Sequence, residues 1–385
     1  MGSTALGVLF TAFEPSGDAH AAVVARALRE LAPDVPILAF GGPQLAAAGA
    51  ELLEETASDG AMALGAWRKI PELRRARATM AEVLRTRRIG VHVPVDSSTA
   101  NFPLCRLSRA AGKRIVHLVA PQLWASRPWR ARTLRALTDH VLCVLPFEPA
   151  WFAQRGIPAT YVGHPRINRP LDESSLAQQA KQLPIGSPRV AILPGSRTGE
   201  VRANLPAMIE VFESLGGGHR RTAGVIALAS ESLRDVVHRA VPDLPGSVAV
   251  TVGGLDGALH WCQLALAVSG TVSLDVTRHA KPMVGMYRVS RPVAWLAPLL
   301  LRTRYRLLPN VVAGREVVPE FVPCSGGTSR IVDAADAFLA DGRLASRASA
   351  ELRRVLEAFG DMDPGTEAAN RILRYLRPSS APAHQ

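Results

Sequence analysis

The chain reads RVAILPGSRTGEVR at residues 189–202, and this stretch predicts a strand, a tight loop and a helix. The apolar run at 190–193 is typical of a buried strand, and a helical pattern begins soon after the loop. Gly195 lets the backbone approach a ligand closely, the helix N-terminus favours an anion, and Arg197 beside Ser196 offers a charged fork. The stretch therefore predicts a phosphate site, with an ordinary βα loop and a solvated Arg197 as the alternative.

A second loop of small residues follows another buried-strand pattern, at residues 264–268. Ser269, Gly270 and Thr271 lead into a helical pattern that contains Asp275 one turn further on. Two such loops in one βα domain suit a nucleoside diphosphate, with the hydroxyl groups on the phosphates and Asp275 on the ribose. For Asp275, an acid that interacts favourably with the helix dipole is the alternative interpretation.

The composition is that of a large, strongly basic α/β protein. The chain has 385 residues, 48% of them hydrophobic, which is enough for two domains of ordinary size. Its net charge of +12 indicates either a simply basic protein or an anionic partner: nucleic acid, an acidic membrane face or phosphorylated substrates. Nucleic acid is not expected, because the sequence has no aromatic-rich RNA-binding pattern and no Cys/His finger spacing.

The cysteines and the N-terminus favour a cytoplasmic protein, free or held on a membrane surface. The cysteines stand far apart without a CxxC pair, so we expect free thiols and no zinc site or other metal site. The N-terminus has no signal-peptide pattern, and the longest apolar run, 293–301, is too short to span a bilayer.

Two stretches mix apolar anchors with a dense set of arginines, at residues 61–88 and 291–308. Such segments are suited to an anionic bilayer or to an acylated, phosphorylated substrate. For residues 61–88, an amphipathic helix packed on its own sheet is the alternative.

Polar side chains fall at predicted strand ends in the N-terminal half. Glu14, Ser16 and Asp18 follow the first strand, and Asp96 follows a strand at 90–95. Ligands of doubly wound sheets bind beyond the carboxyl ends of the strands, so these side chains are candidates for binding and catalysis.

The βα pattern stops at a polar stretch and then restarts, which predicts an α/β protein of two Rossmann-like domains facing across a cleft. The predicted boundaries are 1–170 for the N-terminal domain, 171–187 for a linker, 188–355 for the C-terminal domain, 356–378 for C-terminal helices that are candidates to return to the first domain, and 379–385 for a disordered tail.

Motifs along nearly the whole chain resemble those of the lipid-A-disaccharide synthases, glycosyltransferases with two Rossmann-like domains (the GT-B type). Each motif is weak alone, but the ordered set is specific. The motifs are FEPSGD (13–18), GGPQLAAAG (41–49), LPFE (145–148), YVGHP (161–165), LPGSR (193–197), SGT (269–271) and LPNVVAGREVVPE (308–320).

The resemblance implies transfer of 2,3-diacylglucosamine from its UDP conjugate to 2,3-diacylglucosamine 1-phosphate, with inversion. The product would be the β(1→6) disaccharide, made at the inner face of the cytoplasmic membrane without a metal or another cofactor. The implied partners are these two acylated substrates and an anionic membrane surface, and a homodimer is left open.

Inversion needs a base for the attacking hydroxyl and donors for the departing diphosphate. Asp96 matches the acid of the family's strand-end motif and is the first candidate for the base, with His20, His117 and His164 as rivals. Arg197, aided by Ser196 and the two loops, would stabilise the diphosphate. The predicted acceptor-side residues are Glu14, Ser16, Asp18, Asn101, Trp124, His164, Asn310, Arg315 and Glu316.

The chain departs from the family pattern at three of these places. After Asp96 the family carries Ala-Pro-Asp-Phe-Asn, whereas residues 97–102 read Ser-Ser-Thr-Ala-Asn-Phe and lack the second acid. Asp275 stands where the family has Glu, and residues 122–126 replace a Ser-Val-Trp-Ala-Trp segment. Three alternatives therefore stay open: a different lipid-linked acceptor, a UDP-N-acetylglucosamine epimerase, and a non-catalytic protein that binds nucleotide sugars or membranes.

Overall fold

A computed structural model describes residues 5–57, 69–218, 221–290, 292–293, 295 and 303–376. The chain divides into two compact units. Unit 1 comprises Met1–Asn168 and Gly360–Gln385, and unit 2 comprises Arg169–Phe359. Unit 2 is therefore inserted, in sequence, between the two segments of unit 1.

The strands are short runs of mostly apolar residues. They are β1 (Gly7–Thr11), β2 (Ile37–Gly41), β3 (Glu51–Glu55), β4 (Ile89–Pro94), β5 (Arg114–Leu118), β6 (His140–Cys143), β7 (Ala159–Tyr161), β8 (Arg189–Leu193), β9 (Ala223–Leu228), β10 (Val248–Val252), β11 (Leu264–Val268), β12 (Met283–Arg288) and β13 (Glu320–Cys324).

The helices alternate with these strands. They are α1 (Pro15–Leu31), α2 (Pro43–Ala47), α3 (Lys69–Thr86), α4 (Ser98–Ala110), α5 (Leu123–Ser126), α6 (Ala131–Leu137), α7 (Glu148–Ala153), α8 (Glu173–Ala180), α9 (Thr198–Gly218), α10 (Arg234–Ala240), α11 (Leu255–Trp261), α12 (Val272–Arg278), α13 (Leu308–Ala313), α14 (Ser329–Ala340), α15 (Gly342–Glu357) and α16 (Pro364–Leu376). Two short 3-10 helices cover Pro128–Arg130 and Glu231–Leu233.

Each unit contains one parallel sheet. In the described part of unit 1, seven strands pair in the order β3-β2-β1-β4-β5-β6-β7. In the described part of unit 2, six strands pair in the order β10-β9-β8-β11-β12-β13. The strand order reverses between β1 and β4 in the first sheet and between β8 and β11 in the second, which are the places where such folds bind ligands. The predicted fold of two Rossmann-like domains is confirmed.

The last described helix, α16, belongs to the core of unit 1. Its Ala368, Ala369 and Ile372 are fully buried in a cluster that includes Ala25 and Leu28 of α1. The two helices approach closely at Gly365, where an added Cβ would lie 3.1 Å from a backbone oxygen of α1. The predicted linker 171–187 lies within unit 2, where α8 packs against α11. The predicted tail 379–385 lies outside the described residues.

Several element boundaries differ from the sequence prediction for identifiable reasons. The apolar spacing predicts the first helix from Ala19, whereas α1 begins at Pro15, because proline is pre-organised for the first helical position. β3 was not predicted, because it is an edge strand of acidic and only partly buried residues. β13 was not predicted either, because its Pro323 is tolerated only where a strand lies at the edge of a sheet.

The first basic-apolar stretch packs on its own sheet wherever it is described. Ala76, Met80 and Val83 of α3 are buried in a cluster with Leu9 and Phe40. The alternative of an amphipathic core helix therefore applies to this helix, and residues 61–68 lie outside the description. Of the second stretch, Val293 and Trp295 are 50% and 77% exposed. Across the described ranges, no helix combines the length and the apolar character needed to cross a membrane.

Candidate functional site

The two predicted phosphate loops of unit 2 leave the sheet side by side. β8 and β11 are parallel neighbours in register, with Leu193 opposite Ala267. The loops after them, 194–197 and 269–271, therefore start from the same edge, at the point where the strand order reverses. This adjacency is the geometry that a diphosphate-binding pocket requires.

The first loop already binds an oxyanion, because the carboxylate of Glu200 lies in it. Glu200 Oε2 accepts the backbone N–H groups of Ser196 and Arg197 at 3.0 and 3.3 Å, and its Oε1 accepts Arg197 Nη1 at 2.8 Å. Gly195 has φ 113°, and a Cβ there would lie 2.5 Å from Glu200 Oε2. We name residues 195–197 with their N–H groups the anion nest of unit 2. Glu200 was not predicted from the sequence, although an acid in the first turn of a helix can reach back to the N–H groups before it, as Glu200 does to Arg197.

A buried amide fixes the helix that carries Glu200. Asn204 Nδ2 donates to the Glu200 carbonyl at 2.8 Å, and Asn204 Oδ1 accepts the Arg288 backbone N–H at 2.7 Å. This joins the first turns of α9 to the end of β12. Tyr287 precedes Arg288 on β12. Burial, and to a smaller extent the negative charge of Glu200, raises the pKa of its phenol. The sequence analysis did not select these residues, because they lie in no recognised motif.

The second loop offers fewer free hydroxyl groups than its sequence predicts. Ser269 Oγ donates to the Arg306 carbonyl at 3.0 Å, so its proton is already engaged. Gly270 has φ 153°, and its carbonyl accepts the Ser273 hydroxyl at 2.7 Å. Thr271 is exposed at the loop tip. Thr271 and the backbone are therefore the better placed donors for a phosphate.

Asp275 is buried on α12 and is 5% exposed. Its charge raises the pKa of Arg278, although burial dominates and lowers that pKa overall. Arg278 in turn donates to the carbonyls of Arg169 and Pro170 at 2.6 and 3.0 Å. The ribose role of Asp275 stays a prediction.

Asn310, predicted on the acceptor side, has a structural role, and its acceptor role stays a prediction. It is fully buried, and its Oδ1 accepts the backbone N–H groups of Val317 and Val318. Its Nδ2 donates to the Val318 carbonyl and to Glu320, whose carboxylate also accepts the backbone N–H of Arg306. All its polar atoms are therefore used inside unit 2.

The neighbours of Asn310 in this motif lie on the surface. Arg315 is exposed and pairs with Glu351 of α15. Glu316 is exposed as well.

In unit 1, Asp96 lies at the carboxyl end of β4 in an unusual backbone conformation. Its φ of 50° is a left-handed conformation that aspartate tolerates better than most residues. Its N–H donates to the Leu118 carbonyl at 3.0 Å, and its carbonyl accepts His117 Nε2 at 3.0 Å. Asp96 is partly exposed, whereas His117 is fully buried.

His117 is unsuited to act as the base. The Asp96 carbonyl can only accept a hydrogen bond, so His117 Nε2 carries the proton. The other ring nitrogen, His117 Nδ1, is buried and cannot reach a substrate hydroxyl. Burial lowers its pKa to about 4, which keeps it neutral. The geometry therefore gives His117 the role of orienting the Asp96 backbone.

Asn101, predicted on the acceptor side, hydrogen-bonds to the residues next to the Asp96 loop. Its Oδ1 accepts the Thr11 hydroxyl at 2.6 Å, and its Nδ2 donates to the Val95 carbonyl at 2.8 Å. The Thr11 hydroxyl in turn accepts His92 Nε2 at 2.9 Å. Asn101, Thr11 and His92 are fully buried, so they hold the ends of β1 and β4 together.

His20 and His164 contact each other in unit 1. Their rings meet edge to face with centroids 6.1 Å apart, and burial lowers their pKa values to about 4 and about 3. His164 Nδ1 accepts the Arg166 backbone N–H at 3.2 Å, so this nitrogen is engaged. Both rings are neutral at pH 7.

The three FEPSGD candidates lie at the start of α1 and differ in role. Asp18 is buried and caps α2, accepting the N–H groups of Gly42 and Gln44 at 2.7 and 2.9 Å. Asp18 therefore has a structural role at the start of α2, and its acceptor role stays a prediction. Glu14 stands at the N-cap position, partly exposed, and Ser16 is exposed beside it.

Trp124 is tied to a buried carboxyl group that the sequence analysis did not assign. Trp124 Nε1 donates to Glu148 Oε1 at 3.0 Å, and the Leu145 N–H donates to Oε2 at 3.1 Å. Burial, and to a smaller extent the negative charge of Asp96, raises the pKa of Glu148 to about 7. The acid lies in the LPFE motif, but local sequence does not show that its side chain is buried against Trp124.

A family model described as Lipid-A-disaccharide synthetase matches residues 8–362, which is nearly the whole chain. This chain belongs to the lipid-A-disaccharide synthase family. The resemblance seen in the motifs is thereby confirmed. The residues of the nest at 195–197, Asp96 and Glu148 all lie inside the matched range.

Relatives of the same family from several bacteria align with this chain over almost their full length. The Lipid-A-disaccharide synthase of Myxococcus xanthus is 31% identical over 374 residues, covering 96% of this chain and 98% of the relative. That of Aromatoleum aromaticum is 31% identical over 389 residues, covering 97% and 96%. That of Burkholderia mallei is 32% identical over 370 residues, covering 93% and 92%.

Solved structures share the fold of this family member at low sequence identity. Anabaena Alr3699/HepE in complex with UDP has a TM-score of 0.60 at 12% identity, covering 96% of this chain and 99% of that chain. The glycotransferase of kitacinnamycin has a TM-score of 0.61 at 18% identity, covering 97% and 100%. The UDP-GlcNAc 2-epimerase of Neisseria meningitidis has a TM-score of 0.58 at 12% identity, covering 96% and 99%. These likenesses show the fold alone.

Within the described ranges, no three His, Cys, Asp or Glu side chains come together in a way that would hold a metal ion. The four cysteines are free thiols, three of them buried.

Proposed function

We propose that the chain transfers 2,3-diacylglucosamine from its UDP conjugate to 2,3-diacylglucosamine 1-phosphate, with inversion. The 6-hydroxyl oxygen of the acceptor attacks C1 of the donor sugar, the bond from C1 to the diphosphate oxygen breaks, and UDP leaves. The observation that carries the proposal is the anion nest at the point of strand reversal in unit 2, in a chain of this family.

In this proposal the nest stabilises the departing diphosphate. Gly195 allows close approach, and the N–H groups of Ser196 and Arg197 with the Arg197 guanidinium supply fixed positive charge. Donors that are already in position stabilise developing charge without reorganisation. We propose that these groups act without a metal ion.

Asp96 is the proposed base. It is partly exposed at a strand end, and its backbone is held by His117 and Leu118. Burial lowers the pKa of each rival histidine well below 7, so all three rings are neutral at pH 7. The proton of the acceptor hydroxyl passes to its carboxylate as the new glycosidic bond forms.

We further propose that the protein works on the inner face of the cytoplasmic membrane. The exposed arginines of α3, the exposed Trp295 and the net charge of +12 support binding to an anionic bilayer. A homodimer stays a prediction, which light scattering of the purified protein would test.

The test is turnover of the two acylated substrates by the wild-type protein and by Asp96→Asn, with mass spectrometry of the lipid product. Asparagine tolerates the same left-handed backbone, so the change removes the base and little else. We expect a disaccharide phosphate from the wild type and a kcat lowered about a hundredfold or more in the variant. UDP affinity should not change.

Each failure has its own meaning. Undiminished turnover by Asp96→Asn would eliminate Asp96 as the base. UDP binding without any disaccharide would show that the acceptor is a different one. Conversion of UDP-N-acetylglucosamine with no acceptor present would favour the epimerase.

A further inference from the structure

The 3-10 helix Pro128–Arg130 holds a guanidinium group over the first turn of α4. Arg130 Cζ lies 4.9 Å from the ring centroid of Phe102, a distance typical of a cation–π contact. Arg130 Nη1 donates to Thr99 Oγ1 at 3.2 Å, and Nη2 lies 3.5 Å from the Ser98 carbonyl oxygen. The side chain is therefore fixed in direction before any ligand arrives.

A second arginine adds positive charge at the same place. Burial, followed by the charge of Arg127, lowers the pKa of Arg130. Among the described residues, neither arginine forms an ion pair with a carboxylate, whereas Arg109, Arg197 and Arg315 each do. Two adjacent cations without a counter-ion repel each other, and an anion bound to both would relieve that repulsion.

The arginine pair lies close to the proposed base. Thr99, which accepts from Arg130, is three residues beyond Asp96 in the same loop and helix start. The proposed acceptor carries its reacting hydroxyl on C6 and its phosphate on C1 of one sugar ring. Its phosphate must therefore bind about one sugar away from the base. The contact of Arg130 with Thr99, three residues beyond Asp96, makes the pair a candidate for that position.

We propose that Arg130 and Arg127 bind the 1-phosphate of the acceptor sugar. This inference rests on the proposed function and names the part of unit 1 that recognises the acceptor. Arg130 supplies the rigid fork that suits a phosphate, and exposed Arg127 adds a mobile charge. Trp129, 65% exposed between them, presents an apolar face to the rest of the acceptor.

The test compares Arg130→Ala and Arg127→Ala with Arg132→Ala, an exposed arginine on the adjoining helix α6. The acceptor is a short-chain, water-soluble form of 2,3-diacylglucosamine 1-phosphate, assayed with and without its phosphate. We expect the KM for the phosphorylated acceptor to rise about tenfold to a hundredfold in Arg130→Ala, the loss of a charge-assisted hydrogen bond. Arg127→Ala should show a smaller rise and Arg132→Ala none.

The acceptor that lacks the phosphate decides the assignment. With it, wild type and both variants should have the same KM, because the partner of the arginines is gone. The KM for the UDP donor should not change in any variant. If the arginine variants weaken both acceptors equally, or neither, the pair does not bind the phosphate and the inference fails.

Two further outcomes are separated by the same design. If wild type makes no product at all, the proposed function fails before this inference is reached. If the variants lose binding to anionic vesicles while their acceptor KM is unchanged, the pair contacts a lipid headgroup and the inference is overturned. Should Arg130→Ala not fold, Arg127→Ala still carries the test, because its side chain is exposed at the surface.

Discussion

At the scale of single residues, Glu200 and a diphosphate would bind to the same donors. The ion pair of Arg197 with Glu200 is about half-exposed on the arginine side, and such pairs contribute little stability. The carboxylate is therefore an anion that a diphosphate can displace at small cost, and its charge opposes the entry of the ligand.

We predict that Glu200→Gln binds UDP about fivefold more tightly than the wild type, a gain of about 1 kcal/mol from removal of the competing charge. Calorimetric titration with UDP measures this, and uridine, which has no phosphate, should show no change. Glu213→Gln, an exposed position on the same helix, is the matched control. Weaker binding of UDP by Glu200→Gln would mean that Glu200 shapes the nest and does not compete for it.

At the scale of elements, Glu148 joins α5 to the start of α7 through Trp124. Because burial raises its pKa from 4.5 to about 7, the folded protein favours the protonated form. The stabilising contribution of this group is complete below pH 4.5 and is lost as the pH rises through 7.

We therefore predict that, between pH 4.5 and 8, the free energy of unfolding of the wild type falls by about 3 kcal/mol more than that of Glu148→Gln. Urea unfolding of wild type and variant across this range measures the difference. Glutamine keeps an acceptor for the Trp124 indole, but its NH2 group cannot accept the Leu145 N–H. We therefore expect a loss of stability that is the same at every pH, beside the change in slope. Parallel curves for the two proteins would show that Glu148 ionises as an exposed carboxyl does.

Elements were predictable from the sequence wherever burial set the pattern. β8 and β11 are continuous apolar runs, and their predicted bounds match the structure. The sequence pattern predicts a helix from Asn204, whereas α9 begins six residues earlier at Thr198, because Glu200 caps a first turn that has no apolar signal. The edge strand β3 has exposed acids at both ends, Glu51 and Glu55, so its sequence resembles that of a loop.

The site residues were predictable only where their role depends on neighbours close in the sequence. The nest at 195–197 and Asp96 at a strand end could be found, because loop type and strand end are both local properties. Asn310 and Asp18 belong to motifs, yet a motif does not reveal that every polar atom is used inside the fold. Arg130 was missed because its contact with α4 joins residues about thirty positions apart.

At the scale of the whole molecule, charge on α3 should govern binding to membranes. Its apolar face is buried, and its opposite face is basic and exposed. The exposed residues to change together to glutamine are Arg74, Arg75 and Arg77, and the control set on α15 is Arg343, Arg347 and Arg353.

We predict that the α3 triple variant partitions to anionic vesicles about a hundredfold less than the wild type, since each arginine near the surface contributes about 1 kcal/mol. Sedimentation with vesicles at low and high salt measures this, and salt should release the wild type. The α15 set should behave as the wild type does. Equal sedimentation with neutral vesicles would refute an electrostatic attachment.

The insertion of unit 2 into unit 1 also governs how the protein is made. The ribosome completes α1 early, but α16, which covers its apolar face, emerges only after all of Arg169–Phe359. Domains tend to fold as they are synthesised. Unit 2 is thus complete before unit 1 can close its core, and a ribosome that stalls after residue 359 releases a chain with an unburied helix face open to chaperones and aggregation.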